Sequence, residues 1–91
     1  MDAPMLMCKL TEEAGELAEA VLVAQGFKPH KTLPADAALG EAADVMLCLL
    51  LVLSRVYPEQ TAHALAGALA GQIDARLARY VARQPAADGA N

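Results

Sequence analysis

Apolar residues recur with a helical period along the first part of the chain. At 100° per residue, six of them fall on one helix face, whereas the glutamates between positions 12 and 19 fall mainly on the other side. The six are Leu6, Leu10, Ala14, Leu17, Val21 and Ala24. Asp2 is a candidate N-cap, Pro4 suits a first turn, and Gly26 is a C-terminal stop. The pattern predicts a helix over 4–25.

Two prolines delimit a second helix. Pro34 can open it and Pro58 stops it, so we predict a helix from 34 to about 57. Its stretch from Val45 to Leu53 is apolar on every side, and such a helix has to be covered all round. Two neighbouring helices of one short chain do not easily achieve this. We therefore predict a homo-oligomer, a dimer or tetramer, whose interface includes this helix.

The remainder of the chain predicts one more helix, over 59–83, followed by a small, polar and disordered tail at 85–91. Alanine and leucine dominate the composition, and both are strong helix formers. The strand-forming aromatic residues number only three. The sequence thus predicts an all-α fold with a single domain over 1–84. This domain is a helical bundle of about three helices per chain, completed by oligomerisation.

Charge and hydropathy argue against several classes of partner. The net charge of −4 disfavours a nucleic-acid polymer, and three aromatic residues are too few to stack on its bases. The longest uninterrupted apolar run has nine residues, about half of the roughly 20 that a membrane helix needs. The start of the chain lacks a basic region followed by an apolar one, and two cysteines are too few for a disulfide scaffold. We therefore predict a cytoplasmic protein with no membrane partner.

Acidic residues recur on the first two predicted helices. Glu12, Glu13 and Glu16 read E-E-x-x-E, and Glu41 and Asp44 read E-x-x-D. Residues three apart are neighbours on a helix, so each motif supplies a carboxylate pair, and the pairs face each other if the helices are antiparallel. Four converging carboxylates repel one another unless a divalent cation binds them. Ligation by oxygen alone favours Mg²⁺, Mn²⁺ or Ca²⁺.

The segments KLTEEAGELAEAV (Lys9–Val21) and GEAADVMLCLLLVL (Gly40–Leu53) resemble the MazG-like nucleotide pyrophosphohydrolases of the all-α NTP pyrophosphatase superfamily. The hallmark of that superfamily is E-E-x-x-E followed by E-x-x-D. The resemblance implies hydrolysis of nucleoside triphosphates to monophosphate and pyrophosphate, with Mg²⁺ or sometimes Mn²⁺, by dimers or tetramers. The implied metal ligands are Glu13, Glu16, Glu41 and Asp44. Glu12 would orient or deprotonate the attacking water.

Three basic residues are candidates for binding substrate phosphates. Lys9 matches a lysine that often precedes the family motif, although it is equally placed to pair with Glu13 one turn later. Lys31 belongs to a basic loop between the acidic helices, and Arg79 falls where family members often have a basic residue before an aromatic one. A solvated surface would explain these cations too, and Glu19 fits a solvated face best of all the acids.

Two other functions stay open at the level of sequence. Phosphoribosyl-ATP pyrophosphohydrolase shares the fold and the acidic motifs, but the long Phe27–Pro34 loop and the lack of an aromatic–His pair after the second motif favour it less. Family members usually have a further helix before the first motif, whereas only eight residues precede Lys9. A non-catalytic helical oligomerisation module with a degenerate metal site is therefore the second alternative.

Overall fold

The chain is helical throughout the part that the structure describes. A computed structural model describes residues 1–84 and contains three helices, α1 (Ala3–Ala24), α2 (Ala37–Val56) and α3 (Ala62–Arg83). Residues 1–84 contain no strand. The predicted all-α class is therefore confirmed. The predicted disordered tail at 85–91 lies outside the described residues.

The two ends of α1 follow from their local chemistry. The Asp2 carboxylate accepts a hydrogen bond of 3.0 Å from the Met5 amide, which satisfies one of the free donors of the first turn. At the other end, Gly26 has φ of 81°, a left-handed conformation that glycine adopts without steric cost. The observed bounds lie within one residue of the predicted ones.

Both α2 and α3 begin three residues later than predicted. Pro34 lies in a turn, where its carbonyl accepts a hydrogen bond of 3.0 Å from the Ala37 amide. The start of α3 is fixed by Thr61, whose hydroxyl accepts a hydrogen bond of 3.1 Å from the Ala64 amide. Proline suits a turn as well as a first helical position, so its location predicts a helix start only approximately.

The first two helices form an antiparallel hairpin. Arg55, near the end of α2, donates a hydrogen bond of 3.0 Å to the carbonyl of Met1, two residues before α1 begins. Near the connecting loop, Ala20 of α1 and Ala37 of α2 line the same groove. This arrangement places the two acidic motifs opposite each other at the middle of the hairpin. The buried apolar residues of the pair are Leu6, Ala20 and Cys48.

The face of α1 that meets α2 includes a glutamate. Glu13 is only 8% exposed and lies between the buried residues Leu6 and Ala20. Val21, predicted on the packed face, is 43% exposed, and Ala14 is exposed as well. Helix α2 thus packs against one edge of the apolar stripe of α1, the edge beside which Glu13 lies. The opposite edge, which includes Ala14 and Val21, is uncovered in a single chain.

The third helix contacts α2 but has no contact with α1. Leu65 is its only buried residue, and every residue from Ala70 to the end of the helix is exposed. The exposed part carries an apolar row that we call the α3 stripe, which consists of Ile73, Leu77, Tyr80 and Val81. Within one chain, α3 therefore does not close a bundle around α2.

Much apolar surface is left uncovered in residues 1–84. Sixteen large hydrophobic residues are exposed, whereas only four apolar residues are buried. By length and composition alone, α2 could cross a membrane, and 6% of the apolar window within it is buried. Core helices of soluble proteins, which are mostly buried, meet the same criterion of length and composition. The cytoplasmic location stays a prediction.

Candidate metal centre

Three glutamates from the two acidic motifs converge between α1 and α2. Carboxylate oxygens of Glu13, Glu16 and Glu41 all lie within 4.8 Å of one another. We call these three residues the carboxylate cluster. Glu13 is buried, Glu16 is exposed, and Glu41 is half-buried, so the cluster runs from the packed interface to solvent. Carboxylate oxygens this close together could hold a metal ion, and oxygen ligands are those that hard divalent cations such as Mg²⁺ and Mn²⁺ prefer.

Lys9 forms an ion pair with Glu13, the buried member of the cluster. Its Nζ lies 3.3 Å from Glu13 Oε1 and 3.8 Å from Glu12 Oε1. The hydrogen bond with Glu13 raises the pKa of Lys9, and the negative charges of Glu13 and Glu12 add to the effect. The lysine therefore partly neutralises a carboxylate that is costly to bury alone. Of its two predicted roles, this geometry favours that of helical partner to Glu13.

Glu41 and Asp44 supply the α2 side of the site. Partial desolvation raises the pKa of Glu41, and the negative charges of Glu16, Asp44 and Glu13 raise it further. Asp44 lies beside Glu41 but outside the group of mutually close oxygens. It lines an open groove of about 470 Å³ together with Glu16 and Glu41. The carboxylates of this acidic groove belong to Glu16, Glu19, Asp36, Glu41 and Asp44.

The shifted pKa of Glu41 predicts how stability depends on pH without metal. Because the folded state raises this pKa, its charged form is disfavoured by folding. Stability is then lost as the pH rises from the ordinary glutamate value through the raised one. We expect the melting temperature in a chelator to fall across that window and Glu41→Gln to flatten the fall. An unchanged slope in the variant would mean that another group is responsible.

The loop between the acidic helices is tied to α1 by ion pairs. Nζ of Lys28 and Nζ of Lys31 each lie 3.0 Å from Glu19 Oε2. Hydrogen bonds from both lysines lower the pKa of Glu19. Stability from these pairs is present above the ordinary glutamate pKa and is lost as the pH falls below it, a window separate from that of Glu41.

The remaining predicted site residues lie at different distances from the cluster. The Glu12 side chain is 67% exposed and is not a member of the cluster. Lys31 stands beside the acidic groove through its pair with Glu19. Arg79 is exposed on α3, which has no contact with α1, so one chain does not bring it to the cluster.

The sequence assigned Glu19 to a solvated face and placed Lys28 with Lys31 in a basic loop that could contact phosphates or be solvated, so it predicted no pairing between them. Glu19 lies one helical turn beyond Glu16 and lines the acidic groove, while its ionic partners are nine and twelve positions away. Helical spacing identifies pairs three or four residues apart, so it could not reveal contacts made by a folded loop.

Comparison with known proteins adds no assignment to this geometry. No family model matches the sequence, and the comparisons with curated proteins and with solved structures found no match.

Proposed function

We propose that this protein is a Mg²⁺-dependent nucleoside triphosphate pyrophosphohydrolase of the MazG-like kind, with Mn²⁺ as an alternative metal. The observation that carries the proposal is the carboxylate cluster, which joins Glu13 and Glu16 of α1 to Glu41 of α2. These residues come from the two halves of the E-E-x-x-E and E-x-x-D pair. The adjoining groove is open to solvent, so a charged substrate can approach.

Each of the site residues has its own role in the proposed reaction. The cluster and Asp44 would hold the metal, which supplies neutralisation of the triphosphate charge. A water oxygen bonds to the α-phosphorus while the bond from this phosphorus to the bridging oxygen breaks. Pyrophosphate leaves with that electron pair. In this proposal Glu12 orients the water or accepts its proton, and Lys9 positions the Glu13 carboxylate.

The proposed chemistry predicts a specific pair of products. Incubation with each ribo- and deoxyribonucleoside triphosphate and Mg²⁺ should yield monophosphate and pyrophosphate, resolved by chromatography. The substrate preferred in this panel would name the base and sugar. Diphosphate with phosphate would contradict cleavage of the α–β bond. A lack of product from every substrate, with Mn²⁺ also tried, would contradict the enzymatic proposal.

Two alternative functions have their own discriminating experiments. Phosphoribosyl-ATP pyrophosphohydrolase is an enzyme of histidine synthesis. Turnover of phosphoribosyl-ATP, or growth of a histidine auxotroph that expresses the protein, would therefore favour this alternative. Calorimetric titration with Mg²⁺ and Mn²⁺, with and without nucleotide, would favour the non-catalytic module if neither metal bound. The large exposed apolar area is the observation that a non-catalytic oligomerisation module would explain most directly.

We also propose that the protein works as a cytoplasmic homo-oligomer. The α3 stripe continues the row of Leu65 and Leu69, which lies against α2 at the start of α3. A surface of the same helix thus packs within the chain at one end and is uncovered at the other. A second copy offers matching uncovered apolar surface on α2, where Leu39 is 75% exposed and Leu47 is 57% exposed. Burial of these surfaces between copies would remove them from water.

A further inference from the structure

Two lysines of the loop between α1 and α2 are held close together. Both ammonium groups lie 3.0 Å from the same oxygen, Oε2 of Glu19. The backbone contributes to this convergence, because the Lys31 amide donates a hydrogen bond of 3.1 Å to the Lys28 carbonyl. The turn therefore presents two positive charges to a single carboxylate.

The carboxylate that receives them belongs to the acidic groove. Glu19 lies one helical turn from Glu16, so its position on α1 adjoins the carboxylate cluster. Among residues 1–84, Lys28 and Lys31 are the cations paired with a carboxylate of this groove. Both side chains are nearly half exposed, so solutes can reach them.

We propose that Lys28 and Lys31 form a binding site for the terminal phosphates of a polyphosphate substrate, and that Glu19 occupies this site until phosphate displaces it. The inference rests on the proposed function and adds the residues that recognise the end of the substrate remote from the reacting phosphorus. A phosphate group has more charge and more acceptor oxygens than the carboxylate that it replaces. Exposed ion pairs are weak, so the exchange costs little.

The proposed displacement predicts that loss of the Glu19 carboxylate strengthens phosphate binding. Glu19→Gln removes the competitor and should strengthen binding of tripolyphosphate by about two- to fivefold, the range that exposed ion pairs allow. Replacement of both lysines by Gln should weaken binding by roughly tenfold. Isothermal titration of the full chain with tripolyphosphate, with and without Mg²⁺, measures both effects. Circular dichroism verifies that each variant is folded.

Two control variants account for changes in net charge. Glu59→Gln removes one negative charge in the turn before α3, and replacement of both Arg76 and Arg83 by Gln removes two positive charges from that helix, as many as the lysine variant loses. Both should bind tripolyphosphate as the unaltered protein does. Equal or weaker binding by Glu19→Gln would overturn the proposal, as would lysine variants that bind normally. Because tripolyphosphate binding is measured without turnover of a nucleotide, failure of this proposal is distinguishable from failure of the proposed enzymatic function.

Discussion

Glu41→Gln should lower the rate of nucleotide hydrolysis by at least about 100-fold. Loss of a residue that only supports a metal ligand already costs 10- to 100-fold, and Glu41 is itself a proposed ligand. Glutamine preserves the size of the side chain but removes its charge. It also removes the carboxylate of Glu41, whose pKa is raised by partial desolvation and further by the negative charges of Glu16, Asp44 and Glu13. The folded state should therefore be at least as stable as that of the unaltered protein when metal is absent.

Two measurements separate a lost metal site from a lost fold. The rate of product formation by Glu41→Gln should be almost abolished. Its melting temperature in a chelator at neutral pH should equal or exceed that of the unaltered protein. Glu59→Gln makes the same chemical change on an exposed turn remote from the groove and should leave both quantities unchanged. Undiminished hydrolysis by Glu41→Gln would overturn the assignment of the carboxylate cluster as the reactive centre.

Leu77→Glu should convert the proposed oligomer to monomers. Leu77 lies in the middle of the α3 stripe and is 54% exposed in the single chain, so the substitution leaves the packing within the chain unaltered. Between two copies, it would place an unpaired charge in an apolar interface. The dissociation constant should then rise by on the order of 100-fold. Sedimentation velocity over a range of protein concentrations measures the change.

A charge on the other side of the same helix provides the control. Ala75 is exposed and lies about half a turn around the helix from the α3 stripe, so Ala75→Glu should leave the oligomer intact. A monomer in every variant, including the unaltered protein, would contradict the proposal of self-association. Recovery of the protein only from the membrane fraction would instead indicate that lipid covers the apolar surface of α2.

The helix boundaries could be predicted largely from residues that restrict the backbone. Gly26 and Asp2 set the ends of α1 to within one residue, because each has a specific conformational or capping role. The prolines gave later boundaries less accurately, since Pro34 lies in a turn before its helix. Local chemistry thus predicted which segments are helical. The residues that each helix packs against depend on tertiary contacts, which local chemistry does not determine.

The candidate site was predictable where its members are close in sequence. Spacing placed Glu13 beside Glu16, and the antiparallel hairpin then brought Glu41 to them. The burial of Glu13 was not predicted, because its position at the edge of the apolar stripe allows either orientation. The pairing of Glu19 with Lys31 was hidden for a different reason. It depends on the path of a loop, which hydrophobic periodicity does not determine.

The carboxylate cluster also has a consequence for chain connectivity. Glu16 and Glu41 are 25 positions apart, and the intervening loop separates the two helices that carry them. An ion held by both would be a reversible cross-link that exists only in the folded state, so its binding free energy would add to the free energy of folding. The two cysteines are free and provide no such covalent link. A higher free concentration of divalent metal would then raise the melting temperature of this hairpin, and a chelator would lower it.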